Sequence, residues 1–186
     1  MKNVPEWAEW QLNYLHGLFV IWPPDAVRKA VSELRRRYDP ESQATIEAHI
    51  TLTQPFLERP GDEEWDLLAR IVAGHEPFEI SYGPVNTFFP NPVIYLEIQP
   101  KETLLALRQA LHDTGLFNLT LPYTDDFVPH MTIAEGRSDR TVNEVMLAEV
   151  RSQAPQGTFL MSEIVCVAPD DHFHFEIGKR LAMSSN

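Results

Sequence analysis

Val128-Pro129-His130-Met131-Thr132-Ile133 sets an imidazole and a hydroxyl two residues apart within an apolar run. Side chains of a strand alternate between its faces, so His130 and Thr132 project one way and Met131 and Ile133 the other. One face is polar and the other is suited to a core. The arrangement recurs at His49-Ile50-Thr51-Leu52, again with apolar residues at both intervening positions. Seven histidines and eleven threonines in 186 residues give by chance about 0.4 His-x-Thr tripeptides, so one copy says little. Two copies with one apolar pattern point to a shared task.

Outward from the first motif, residues 14–22 form a dense apolar run stopped by Pro23-Pro24, which reads as a buried strand. A helix opens at Asp25, carries Val27, Ala30, Val31 and Leu34 on one face, and stops near Asp39-Pro40. Residues 41–47 read as a polar connection into a motif strand over 49–53, which Pro55 ends. A second helix runs from Glu63 to a stop at Gly74. Residues 78–82 alternate as a strand, interrupted by Gly83-Pro84, with 85–89 its continuation or a loop.

Beyond the turn at Pro90-Asn91-Pro92 the pattern begins again. A strand over 93–98 precedes a helix from Lys101 to Gly115, and a connection over 116–127 leads to the second motif strand, which ends at Gly136. Connections of that length are often functional. A fourth helix is expected over 140–153. Two final strands, over 158–167 and 173–177, read as a hairpin.

Strand, helix, motif strand, helix, strand thus occurs twice. His49 and His130 lie 81 residues apart, and the same offset lays Tyr14-Leu15 on Tyr95-Leu96. The expectation is one α+β domain of duplicated β-α-β-α-β lobes with pseudo-twofold symmetry, the repeats spanning about 10–88 and 92–183.

The composition narrows the function. With 44% apolar and 23% charged residues the chain is of the globular type. A single cysteine, Cys166, precludes an internal disulfide, and its apolar surroundings suggest an inert buried thiol. The first residues lack the basic-then-apolar pattern of a leader, and no apolar run reaches the ~20 residues of a membrane span. A cytoplasmic, monomeric protein without membrane contact is expected. A net charge of −12 argues against a grip on long duplex nucleic acid, which depends on Lys and Arg. Arg35-Arg36-Arg37 reads as the solvated last turn of a helix, complementing its dipole.

Two imidazoles facing one another across a cleft can act as general base and general acid in one turnover. The paired threonines can each donate a hydroxyl hydrogen bond to an anion held between them. Phosphodiester hydrolysis needs both services, and either histidine can fill either role.

The motifs, with Pro129 before the second histidine and the trailing Pro55-Phe56 after the first, resemble the signature of the 2H phosphoesterase superfamily. That superfamily includes the 2′-5′ RNA ligase-like proteins and cyclic nucleotide phosphodiesterases. The resemblance implies a bilobal fold, with two sheets flanking a central cleft and helices outside. It implies cleavage of a 2′,3′-cyclic phosphate on a nucleotide or RNA end, with no metal and no cofactor. Position by position, His49 and His130 would be the acid/base pair and Thr51 and Thr132 the phosphate donors. Many 2′-5′ RNA ligase-like members carry a basic residue soon after the second motif. Here Ala134 is followed by Glu135, and the nearest arginine is Arg137. A carboxylate there repels phosphate and weighs against RNA ligation. A non-catalytic nucleotide- or RNA-end-binding module stays open as the other reading.

Further candidates for substrate contact are Tyr123 and Phe127 in the long connection, as stacking partners for a base, together with Arg137 and His174. His172 and His174 alternate as half of a metal site would, but no companion ligands have the right spacing, so surface histidines are the better reading. His16, His75 and His112 carry no assignment.

Overall fold

The computed structural model describes residues 7–88, 90, 92–137 and 141–184. Phe89, Asn91 and Arg140, which fall in the expected second half of the third strand, the turn and the start of the last helix, lie outside the described residues.

Of the apolar run over 14–22, only Leu18–Ile21 (β1) is a strand. Residues 14–17 form a hydrogen-bonded turn, closed by the Gly17 amide on the Tyr14 carbonyl at 2.8 Å. Gly17 sits at φ +81°, and a Cβ there would lie 2.3 Å from the Val167 carbonyl oxygen, so the turn requires glycine. Before it lies a short helix, Glu9–Leu12 (α1). The helix after β1, Asp25–Tyr38 (α2), ends where Pro40 predicts.

Residues 40–45, expected to be irregular, are helical as Pro40–Thr45 (α3). Asp39 caps this helix by accepting the Ser42 amide, and Pro40 occupies its first turn. The residue that stops one helix therefore starts the next. The first motif strand is short, Ile50–Thr51 (β2), followed by Asp62–Ala73 (α4) and Phe78–Thr87 (β3). β3 runs on through Gly83-Pro84, which makes a bulge between Tyr82 and Val85.

The second half has Val93–Gln99 (β4), Lys101–His112 (α5), His130–Glu135 (β5) and Glu144–Gln153 (α6). Asn143 caps α6 by accepting the Met146 amide, so this helix starts later than the apolar spacing suggests. The run over 158–167 is two strands, Gly157–Met161 (β6) and Glu163–Pro169 (β7), divided at Ser162 and placed in different sheets. β7 turns back into Phe175–Ala182 (β8) as a hairpin.

The architecture is α+β: two four-stranded antiparallel sheets form an open half-barrel with helices packed on them. The first sheet has the order β2-β1-β7-β8 and the second β5-β4-β3-β6. Matching β2 with β5, β1 with β4, β7 with β3 and β8 with β6 makes the two orders identical. Each half of the sequence thus places its motif strand and the strand before it in one sheet, and sends a later strand to the other, β3 from the first half and β7 from the second. Thr51 pairs with Val20 and Thr132 with Tyr95, so Val20, and not Tyr14, is the counterpart of Tyr95.

Alternation along β1 separates two apolar surfaces. Phe19 and Ile21 enter the main core with Ile50, Leu52, Phe56, Leu96 and Ile133. Leu18 and Val20 face the other way and form a second cluster with Val165 and Val167. Phe56 and Phe117, stacked with centroids 4.5 Å apart, tie the two halves together behind the motifs. Burial of this kind, at roughly 25 cal/mol per Å² of apolar surface, is what holds the sheets in place.

Candidate active site

Both motifs adopt the alternation that their sequences predict. Ile50, Leu52, Met131 and Ile133 are buried, while His49, Thr51, His130 and Thr132 stay partly accessible on the opposite face. The two motif strands are the outer strands of their respective sheets and pack against each other. Four polar side chains from distant parts of the chain therefore lie on two adjoining outer strands.

The imidazoles are oriented by the same local device. His49 Nδ1 lies 2.8 Å from the Glu47 carbonyl oxygen, and His130 Nδ1 lies 2.7 Å from the Val128 carbonyl oxygen. A carbonyl only accepts, so Nδ1 carries the hydrogen and the neutral ring keeps its lone pair on Nε2. Each ring is thereby set as a base at Nε2. Burial, the Arg35 guanidinium and His130 lower the pKa of His49 to about 4, against the Glu47 carbonyl, which favours the charged ring. Burial also holds His130 below the ordinary histidine range, partly offset by its bond to Val128. Phe88 and Tyr95 stand edge-on to the His130 ring, with centroids at 5.1 and 5.4 Å. Glu97, which accepts from Asn86, is the cross-strand neighbour of His130.

An outer strand leaves backbone groups on its free edge that need partners. Helices of the opposite half supply them. From α2, Arg35 Nη1 donates to the Thr132 carbonyl at 2.9 Å, and Asp39 Oδ2 accepts the Glu135 amide at 3.0 Å. From α5, Arg108 Nη1 donates to the Leu52 carbonyl at 2.7 Å, and His112 Nε2 accepts the Gln54 amide at 3.1 Å. Arg108 and His112 are four apart and so lie on one face of α5, whereas Asp39 directly follows the last residue of α2. Each half of the molecule holds the other half's motif strand. Arg36 and Arg37 are exposed as expected of a solvated last turn, but Arg35 is only 2% exposed, which corrects that expectation for this residue: its other nitrogens donate to Gln43 Oε1 and the Ile46 carbonyl.

A cavity of about 310 Å³ opens beside the first motif. His49 and Thr51 line it together with Trp10, Tyr14, Phe173 and Phe175 and with Glu135 and Arg137, whereas His130 and Thr132 do not. Arg137 donates to Glu41 at 3.0 Å and Ser42 Oγ at 2.7 Å. Phe127 does not line this cavity; it packs beneath Arg108, whose guanidinium lies 4.0 Å from the ring centre. Tyr123 is exposed in the long connection at φ 63°. His174 is exposed on the β7–β8 turn, 3.6 Å from Asp170. Among the described residues, no three His, Cys, Asp or Glu side chains come together as a metal site. No helix among them is long and apolar enough to cross a membrane.

The sequence reading assigned no place in the site to Arg35, Arg108, His112, Asp39, Phe88 or Tyr95. The signal available for the clamps was the i, i+4 pairing of an arginine with an acceptor near the end of each half's first long helix.

Residues 23–172 match the model of the 2'-5' RNA ligase superfamily. The chain belongs to this family of two-histidine phosphoesterases. A Bacillus cereus protein named "Putative phosphoesterase" is 32% identical over 160 residues, covering 83% of this chain and 84% of that one. A Bacillus thuringiensis protein of the same name matches to the same extent. Among solved structures, Escherichia coli LigT complexed with 3'-AMP superposes with a TM-score of 0.59 at 19% identity, covering 92% of this chain and 99% of LigT. A Thermus thermophilus protein gives a TM-score of 0.56 at 18% identity over 89% of this chain and 96% of its own. At these identities the superpositions establish the family's fold for this chain.

Proposed function

We propose that this member of the phosphoesterase family opens a 2′,3′-cyclic phosphate on a nucleotide or RNA end by two-histidine acid/base catalysis without a metal. The observation that carries this reading is the matched orientation of the rings, each with Nδ1–H on a backbone carbonyl and Nε2 left for chemistry. The hydroxyls of Thr51 and Thr132 donate to the non-bridging phosphate oxygens. One Nε2 takes a proton from water as the water oxygen bonds to phosphorus. The bond from phosphorus to one ribose oxygen breaks, and Nε2–H of the other, protonated ring delivers a proton to that oxygen. Water is consumed, a phosphomonoester forms, and proton exchange with solvent restores the pair. The buried Arg35 charge beside His49 favours an anion here. LigT, with the same fold, is seen complexed with 3'-AMP.

The test is incubation of chelator-treated protein with a panel of 2′,3′-cyclic nucleotides, resolving 2′- from 3′-monophosphates, with a His49→Ala/His130→Ala double variant beside it. Conversion by the wild type alone supports the proposal and identifies the bond. Binding of nucleotides without conversion would replace it with the binding-module reading.

A further inference from the structure

We propose that Trp10, Tyr14, Phe173 and Phe175 form a base-binding tray that receives the planar heterocycle of a nucleotide whose phosphate lies at Thr51. The placement of the phosphate rests on the reading above; the tray itself rests on the following observations. The four rings line the same cavity as His49 and Thr51, so a ligand anchored at the motif reaches them without leaving the cavity. Its volume, about 310 Å³, is at the small end for ligand sites and suits one nucleoside better than a length of polymer.

The rings are fixed relative to one another. Phe173 is the hub, edge-on to Trp10 at 5.3 Å, to Tyr14 at 6.2 Å and to Phe175 at 5.3 Å. It is held there at φ 63° by a turn in which Asp170 Oδ1 accepts the His172 and His174 amides at 2.8 Å. Trp10 completes the cluster yet remains 59% exposed, leaving aromatic surface for a partner. Base-on-aromatic stacking contributes substantially to holding single nucleotides, since every base has a π face.

Charge gives the ligand its direction. Glu135 stands in the cavity wall, and the Arg137 guanidinium is already paired with Glu41. The Glu135 carboxylate acts on Tyr14 among the rings, which disfavours the anionic end of a nucleotide there, whereas the buried Arg35 beside His49 favours it. The neutral end falls on the aromatics. The two sheets differ in the same sense. β1 and β7 present Leu18, Val20, Val165 and Val167 on the face away from the main core, whereas β4 and β5 present Tyr95, Glu97, His130 and Thr132.

The tray is also set apart in the chain. The family match covers residues 23–172 and contains both histidines and both threonines. Trp10 and Tyr14 precede it, and Phe173 and Phe175 follow it. The tray is built from the segments that flank the matched residues.

The experiment is calorimetric titration of the wild type, Trp10→Ala, Trp10→Phe and Thr51→Val with adenosine 3′-monophosphate and with inorganic phosphate. Trp10 is exposed, so its truncation leaves the core intact. Trp10→Ala should weaken nucleotide binding about tenfold and leave phosphate binding unchanged, with Trp10→Phe recovering most of the loss. Thr51→Val should weaken both ligands. Nucleotide affinity unaffected by Trp10→Ala, equal wild-type affinity for nucleotide and phosphate, or no nucleotide binding at all would overturn the tray. Binding that depends on Trp10, in a protein that converts no cyclic nucleotide, supports the tray and removes only the hydrolytic reading.

Discussion

Arg35 Nη1 donates to the carbonyl oxygen of Thr132 at 2.9 Å, across 97 positions of the chain. The bond fixes the backbone of the second motif at its threonine, and the same guanidinium depresses the pKa of His49 in the first motif. One buried cation thus acts on both halves of the site, by geometry on one and by field on the other.

Two substitutions separate these effects. Arg35→Lys keeps the charge and loses the fork of donors, whereas Arg35→Gln loses the charge as well. Both should lower turnover by about tenfold or more, because the Thr132 and Ile46 carbonyls lose a donor at a cost of roughly 1–3 kcal/mol each. The His49 pKa, followed by proton NMR of the ring, should stay low in Arg35→Lys and rise in Arg35→Gln. An unchanged His49 titration in Arg35→Gln would refute the electrostatic half of this account.

The motif histidines and threonines should separate by magnitude. Replacing His49 or His130 with alanine should lower turnover by ~10³, the scale of lost general acid or base catalysis. Thr51→Val or Thr132→Val, nearly isosteric, should cost ~10² through one lost donor to the phosphate. Melting temperatures should change little, since all four side chains are partly accessible and their apolar neighbours are untouched. A threonine variant with full activity would show that its hydroxyl does not touch the reacting phosphate.

How much of this was legible follows from what each feature depends on. The His-x-Thr alternation was readable because a strand's two-residue period is written in consecutive letters, and Ile50, Leu52, Met131 and Ile133 all bury as the pattern requires. Helix ends at Tyr38 and Ala73 followed from Pro40 and Gly74. Sheet membership was not readable. Met161 and Glu163 lie on either side of Ser162 in one apolar stretch, and nothing local says that they join different sheets. The clamps were hidden for a related reason. Arg35 and Arg108 look like ordinary helix-surface arginines until the opposite half brings an unpaired strand edge to them. The tray needs two segments 163 residues apart, at Trp10 and Phe173, to meet.

The pH dependence follows from two depressed histidines. In the free protein His49 has a pKa of about 4 and His130 lies below the ordinary 6.5. The acid must be protonated and the base free, so kcat/KM should be bell-shaped with both limbs displaced to the acid side of 6.5. A bound phosphate favours imidazolium, so the profile of kcat should move toward higher pH. Initial rates from pH 4 to 9 with one cyclic nucleotide measure both curves. A kcat/KM curve that is flat from pH 5 to 8 would mean that no histidine pair titrates in the reaction.

His112 should make the fold itself sensitive to acid. It is 5% exposed, and its Nε2 accepts the Gln54 amide, a bond that exists only while that nitrogen is unprotonated. Burial and the neighbouring Arg108 charge lower its pKa from 6.5 to about 4, against the weaker pull of Asp113. Between those values the unfolded chain binds a proton that the folded chain refuses, so stability falls as pH drops from 6.5 toward 4. The loss is on the order of 3 kcal/mol by pH 4 for this group. His49, depressed for similar reasons, adds to it. Urea denaturation at pH 7.5 and pH 4.5 should show a lower midpoint at the acid pH for the wild type. His112→Gln, which keeps an acceptor but no titration, should start less stable at pH 7.5 and lose less on acidification. An equal loss in both proteins would place the acid sensitivity elsewhere and free the α5 clamp from this role.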